Sequence, residues 1–64
     1  MKKNLFILMK QNKVTNSAVA KLLSISLQGL QKKLLGETEF KANEMFAIKN
    51  KFFPDKSLEE IFGE

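Results

Sequence analysis

The chain has no cysteine, no histidine and no arginine among its 64 residues. Without cysteine no disulfide staples the fold and no thiol holds a metal. Without histidine the usual zinc sites and the His-based catalytic triads and dyads are excluded. Without arginine every basic side chain is a lysine. Proline occurs once and glycine three times. Gly29, Gly36 and Gly63 stand apart, so no glycine-rich phosphate loop or dinucleotide fingerprint is present. Long apolar runs are missing too. The run near the start, Leu5 to Met9, has five residues. A secretory signal needs about 7–15 in its apolar core, and a bilayer span needs about 20. With no export or anchoring signal and no cysteine, the expected compartment is the cytoplasm.

What remains is ordinary globular material, 44% hydrophobic and 28% charged. Sixty-four residues are one small domain, residues 1–64, which hides only about 60% of its unfolded surface. The composition is too apolar for a disordered chain and carries no cofactor signature. Charge is distributed unevenly. Residues 1–33 hold seven Lys and no acid, a charge of +7, whereas residues 34–64 hold four Lys and seven acids, a charge of −3. Such a split points to one half that faces a polyanion and another with a different task. A solvated lysine-rich surface is the plainer explanation of the same count.

Apolar spacing reads as short helices throughout. Leu5, Leu8 and Met9 recur at i, i+3, i+4 and place a helix over about Lys2 to Asn12, with Phe6 and Ile7 widening its stripe. Thr15 is an N-cap for a helix over Asn16 to Leu23, whose face is Ala18, Val19, Leu22 and Leu23. Ser24-Ile25-Ser26 breaks that helix, because serine competes for backbone hydrogen bonds, and Ser26 caps the next. The third helix runs over Leu27 to Leu35, with Leu30 and Leu34 inward and Gly36 suited to its end. Phe40 plugs the core from the following loop, and Met45, Ile48 and Phe52, with Phe46 beside them, carry a fourth helix over Ala42 to Phe52. Pro54 and Asp55 mark a break. Ser57-Leu58-Glu59-Glu60 is a capping box opening a last short helix with Leu58, Ile61 and Phe62. Period-2 alternation is absent, so the expected class is all-α. On this reading all six Phe belong to apolar faces or loop plugs.

Residues Thr15 to Lys33 carry the functional signal. Two helices joined by about three residues, with small Ala20 near the middle of the first, fit a helix-turn-helix. In that arrangement the first helix braces the second, which offers its N-terminal side chains to base edges in the major groove. The bracing requires Val19, Leu22, Ile25 and Leu30 to be apolar. An ordinary helical hairpin has similar spacing. Lys13, Lys21, Lys32 and Lys33 bracket the unit, and no acid lies within it.

At this point the sequence resembles a family, the phage-type Cro/CI (XRE-like) helix-turn-helix regulators. The likeness runs through the Leu5-Leu8-Met9 stripe, TNSAVAKLLSIS from Thr15 to Ser26, Leu30, KKLLGETEF from Lys32 to Phe40, Glu44 with Met45, and SLEEIF from Ser57 to Phe62. It implies a compact five-helix, lambda-repressor-like domain that binds double-stranded operator DNA, with its helix-turn-helix over residues 15–35. By position, Ser26, Leu27, Gln28, Gln31 and Lys32 would read bases, and Thr15, Asn16 and Ser17 would meet phosphates; the bracketing Lys13 and Lys33 are assigned to phosphate as well. Glutamine pairs with adenine N6 and N7, a bidentate contact worth about 1–3 kcal/mol of discrimination, and Leu27 suits a thymine methyl. A homodimer on DNA is implied, because one recognition helix reads only a few base pairs. Acidic residues 34–64, with Phe46, Phe52, Phe53 and Phe62, are the expected place for that contact.

The sequence departs from the family in three places. Gly29 interrupts the recognition helix at a cost of up to about 1 kcal/mol; it leaves room for close DNA or is tolerated drift. The missing arginine removes the commonest guanine reader. Glu37 and Glu39 stand where relatives often carry basic or polar residues; they repel DNA or turn away from it. Catalysis is not expected, because Glu59 and Glu60 are explained by the helix dipole and no second polar cluster accompanies them. A membrane-surface role would need an exposed apolar helix face, and here the apolar faces are assigned to the core. The rival reading is a small protein-binding modulator, or antirepressor, on the same fold that binds a repressor protein instead of an operator. Leu27 and Gly29, unusual in a base-reading helix, favour it.

Overall fold

Three of the five helices begin at a Ser or Thr whose side chain accepts an orphan backbone N–H. The computed structural model describes residues 2–63. It contains α1 (Lys3–Gln11), α2 (Asn16–Leu23), α3 (Leu27–Leu35), α4 (Ala42–Phe52) and α5 (Leu58–Phe62). No strand occurs among the described residues. The all-α expectation therefore holds, with α2, α3 and α4 on the expected ranges and α1 one residue shorter at each end.

The N-termini follow local chemistry. Thr15 Oγ1 accepts the Ala18 N–H at 3.1 Å, and Ser26 Oγ accepts the Gly29 N–H at 3.0 Å. At α5 the capping box is complete: Ser57 Oγ accepts from the Glu60 N–H, and the Glu60 carboxylate accepts from the Ser57 N–H. At α4 only half of a box exists. The Lys41 N–H donates to Glu44 Oε1 at 2.9 Å, and a lysine side chain has no acceptor to return the bond.

Three helix ends share one geometry. Val14 N–H reaches Met9 O, Ile25 N–H reaches Ala20 O, and Glu37 N–H reaches Lys32 O, at 2.8, 3.0 and 2.9 Å. Each closure turns on a left-handed residue: Lys13 (φ 57°), Ser24 (φ 57°) and Gly36 (φ 88°). Only the last is a glycine; Ser24 ends α2 where the serines predict a break, and Lys13 carries no stop signal.

Leu5, Met9, Val19, Ala20, Leu30, Phe40, Ile48, Phe53, Ile61 and Phe62 are the buried core. Every helix and the loop before α4 contribute to it. The Phe40 and Phe62 rings lie 5.3 Å apart and tilted, so the loop plug meets α5. Asn4 Nδ2 donates to Gly63 O at 2.8 Å and fastens α5 to α1. The radius of gyration is 10.4 Å, close to the roughly 10.7 Å expected for a folded chain of this length.

The assignment of all six Phe to the core needs correction. Phe6 is 41% exposed and Phe46 is 51% exposed, and Ile7 also faces outward. The inward stripe of α1 is Leu5 and Met9, with Leu8 half-buried; Phe6 and Ile7 fall beyond its edge. Of the four Phe expected at an intermolecular contact, Phe53 and Phe62 are buried and Phe52 is half-buried, which leaves Phe46. Contrary to the expectation that the core takes up every apolar helix face, α1 exposes Phe6 and Ile7 to solvent. No helix among the described residues is long and apolar enough to cross a membrane.

Candidate nucleic-acid interface

Helices α2 and α3 pack directly on each other, joined by Ser24, Ile25 and Ser26. Val19, Ala20 and Leu30 are buried between and beneath them, with Leu22, Leu23 and Ile25 packed at the margin. Ala20 lets the axes approach, as expected. The turn is made by Ser24 in the left-handed region, which redirects the chain within one residue.

Helical phase then sorts the side chains of α3. Leu27, Gln28, Gln31 and Lys32 fall on one outward face, and all four are exposed. Ser26 is exposed at the N-terminus of that helix, its oxygen occupied by the Gly29 N–H and its O–H left to donate outward. Thr15, Asn16 and Ser17 are exposed at the start of α2, and Lys13 is exposed just before it. With no acid in its first turn, the N-terminus of α2 keeps the positive end of its dipole facing solvent. Nine of the ten residues singled out from the sequence are therefore exposed.

Lys33 is the tenth, and it is engaged within the fold. It follows the fully buried Leu30 by three residues, so the periodicity that exposes Lys32 turns Lys33 inward. Its ammonium lies 3.1 Å from Glu44 Oε1, donates to Glu39 O at 3.1 Å and stands 5.8 Å from the centre of the Phe40 ring. Burial alone would raise the Glu44 pKa, but the Lys41 N–H and the Lys33 ammonium outweigh it and hold the carboxyl below its usual value. Lys33 thus ties the end of α3 to the start of α4. Sequence spacing gave no sign of Glu44 as its partner, though helical phase marked Lys33 as inward.

Gly29 also has a local explanation. A methyl group there would stand 3.3 Å from Ser26 Oγ, tight against the hydroxyl that caps the helix. Glycine leaves that cap its room. Glu37 and Glu39 are both exposed, beyond the left-handed Gly36 that ends α3. The α2–α3 unit itself is free of acid, and the first acid in the chain is Glu37.

Comparison with protein-family models, with curated proteins and with solved structures finds no match to this chain. The residues above therefore carry the functional argument by themselves. The exposed face of α3 sets Gln28, Gln31 and Lys32 beside the apolar Leu27 and Leu35 and bears no carboxylate. The residues that sequence reading missed are Glu44, which neutralises Lys33, and Phe6 with Leu35, which lie beside Gln31.

Proposed function

We propose that the protein is a sequence-specific, double-stranded DNA-binding transcriptional regulator that lays α3 in the major groove as the second helix of a helix-turn-helix. The observation that carries this reading is the outward face of α3. Gln28, Gln31 and Lys32 project there from a helix whose other side is locked into the core by Leu30. A rigid helix is what base reading requires, because a bidentate contact tolerates little displacement. The resemblance to Cro/CI-type regulators supports the same role.

The residues divide by task. Gln28 and Gln31 read adenine through N6 and N7, Leu27 packs on a thymine methyl, and Ser26 and Lys32 donate to acceptors at the groove edge. Lys13 and the start of α2, Thr15 to Ser17, hold phosphate and set the register. Lys33 supports α3 from behind and is not assigned to phosphate. A homodimer over two half-sites one turn apart would extend the sequence that is read, and Phe46 is the exposed aromatic in the acidic half that suits such a contact.

A gel shift of the chain against the DNA flanking its own gene, at 50 and 200 mM salt, tests the proposal. Two lysine charges set against the duplex, Lys13 and Lys32, predict a loss of affinity of roughly 12-fold over that range. Affinity for that DNA no higher than for scrambled duplex at either salt would refute sequence-specific binding.

A further inference from the structure

Among the described residues, five large apolar side chains are exposed: Phe6, Ile7, Leu27, Leu35 and Phe46. Four of them belong to α1 and α3. Phe6 and Leu35, with Leu34 and Gln31, line an open groove of about 220 Å³ between those helices. The Lys2 N–H donates to Leu34 O at 2.8 Å, which fixes the start of α1 against the end of α3 and keeps both walls in place. Leu27 continues the Gln31 and Leu35 stripe one turn toward the start of α3.

The chemistry of the groove narrows its occupant. Three hydrocarbon side chains and one amide offer little to phosphates or to a charged small molecule. They suit apolar side chains at helical spacing. Every charged residue within α1 and α3 is a lysine. Lys10 Nζ stands 5.2 Å from the centre of the Phe6 ring, Lys2, Lys3 and Lys32 belong to the same two helices or their ends, and no acid precedes Glu37. A second copy meeting this face with its own would set lysine against lysine. Nor does the acidic segment Ser57 to Glu60 of another copy fit, because Ile61 and Phe62 of its helix are buried in their own core.

We propose that the α1–α3 groove docks an acidic amphipathic helix of a partner protein. Its apolar side chains enter between Phe6, Leu34 and Leu35, and its carboxylates meet the lysines of α1 and α3, with Lys10 beside Phe6 the first of them. Gln31 lies both in the groove and on the face assigned to DNA, so the docked helix and a duplex exclude one another. That exclusion rests on the proposed DNA reading; the docking itself does not.

The test uses three fluorescein-labelled 18-residue helical peptides and the full chain. One has leucine at i, i+3, i+4 and i+7 with glutamate on its other face. The second replaces glutamate by lysine, and the third replaces leucine by serine. Fluorescence anisotropy is expected to show the first binding at least tenfold more tightly than either control. Leu35→Ser should weaken it at least fivefold with an unchanged circular dichroism spectrum, and Phe46→Ser should leave it unaltered. Equal binding of the three peptides, or equal sensitivity to Phe46→Ser and Leu35→Ser, would overturn the docking site. Displacement of the peptide by the duplex from the gel shift supports exclusion, and a ternary complex refutes it. A chain that binds peptide and no duplex upholds the groove while removing the DNA assignment. A chain that binds duplex and no peptide does the reverse.

Discussion

The ammonium of Lys33 lies 3.1 Å from the carboxylate of Glu44, joining the last turn of α3 to the first turn of α4. The pair is half-buried, and the same carboxylate also receives the Lys41 N–H. Removing Lys33 leaves Glu44 without its charged partner. Lys33→Met is therefore expected to lower stability by about 1–2 kcal/mol, read from urea denaturation. The neighbouring exposed Lys32→Met should stay within about 0.5 kcal/mol of the parent while weakening the preferred duplex more than a scrambled one and, by removing a charge, flattening the salt slope. If the two substitutions act alike on stability and on salt slope, the division of labour between them is wrong.

The same carboxylate makes stability depend on acid. The folded pKa of Glu44 is lowered from an ordinary value of 4.5, so its stabilisation is full above that value and disappears as pH falls through the lower folded one. Glu60 moves in the same direction, held down chiefly by the Ser57 N–H. The urea midpoint should drop between pH 7 and pH 3, and Glu44→Gln should drop less over that interval because part of the loss is already present at neutral pH. An identical pH dependence in the variant would show that Glu44 is not linked to folding.

Gln28 is exposed and makes no contact that stabilises the fold, so its replacement separates recognition from stability. Gln28→Ala should relax preference at one base pair per half-site by about 1–3 kcal/mol and leave the melting temperature in place. Binding to a set of singly substituted duplexes measures this. A uniform loss over all duplexes would assign Gln28 to the backbone instead.

Ser24 holds a left-handed conformation, φ 57°, at the turn between α2 and α3. An L-residue is strained there and glycine is not. Ser24→Gly is expected to stabilise the chain by about 0.5–1 kcal/mol, and Ser24→Val to destabilise it because branching at Cβ worsens the strain. Thermal melts of the two variants should therefore move in opposite directions. A lower melting temperature for the glycine variant would mean that the serine side chain supports the turn in some other way.

Helix starts were legible from Thr15, Ser26 and Ser57 because a cap acts over three residues, within reach of a sequence pattern. Helix ends were less so. Gly36 and the Ser24-Ile25-Ser26 break mark the ends of α3 and α2, whereas Lys13 adopts the same left-handed closure with a side chain that gives no such signal. The face of α3 was legible by phase, since Leu30 fixed which side is inward. The count of lysines bracketing the helix pair assigns Lys33 to phosphate, and the fold holds it against Glu44 instead.

The sequence alone determined the five helices, their caps and the acid-free half of the chain, because these depend on groups within one or two turns of each other. The tertiary structure decided which apolar residues are covered. Phe53 and Phe62 are enclosed while Phe6 and Phe46 are not, although all four sit in helical or helix-flanking apolar patterns. A residue's own helix supplies only its direction; whether that direction meets another element or water depends on contacts between segments far apart along the chain. A domain of this size has too little interior to enclose every apolar side chain that local pattern directs toward it.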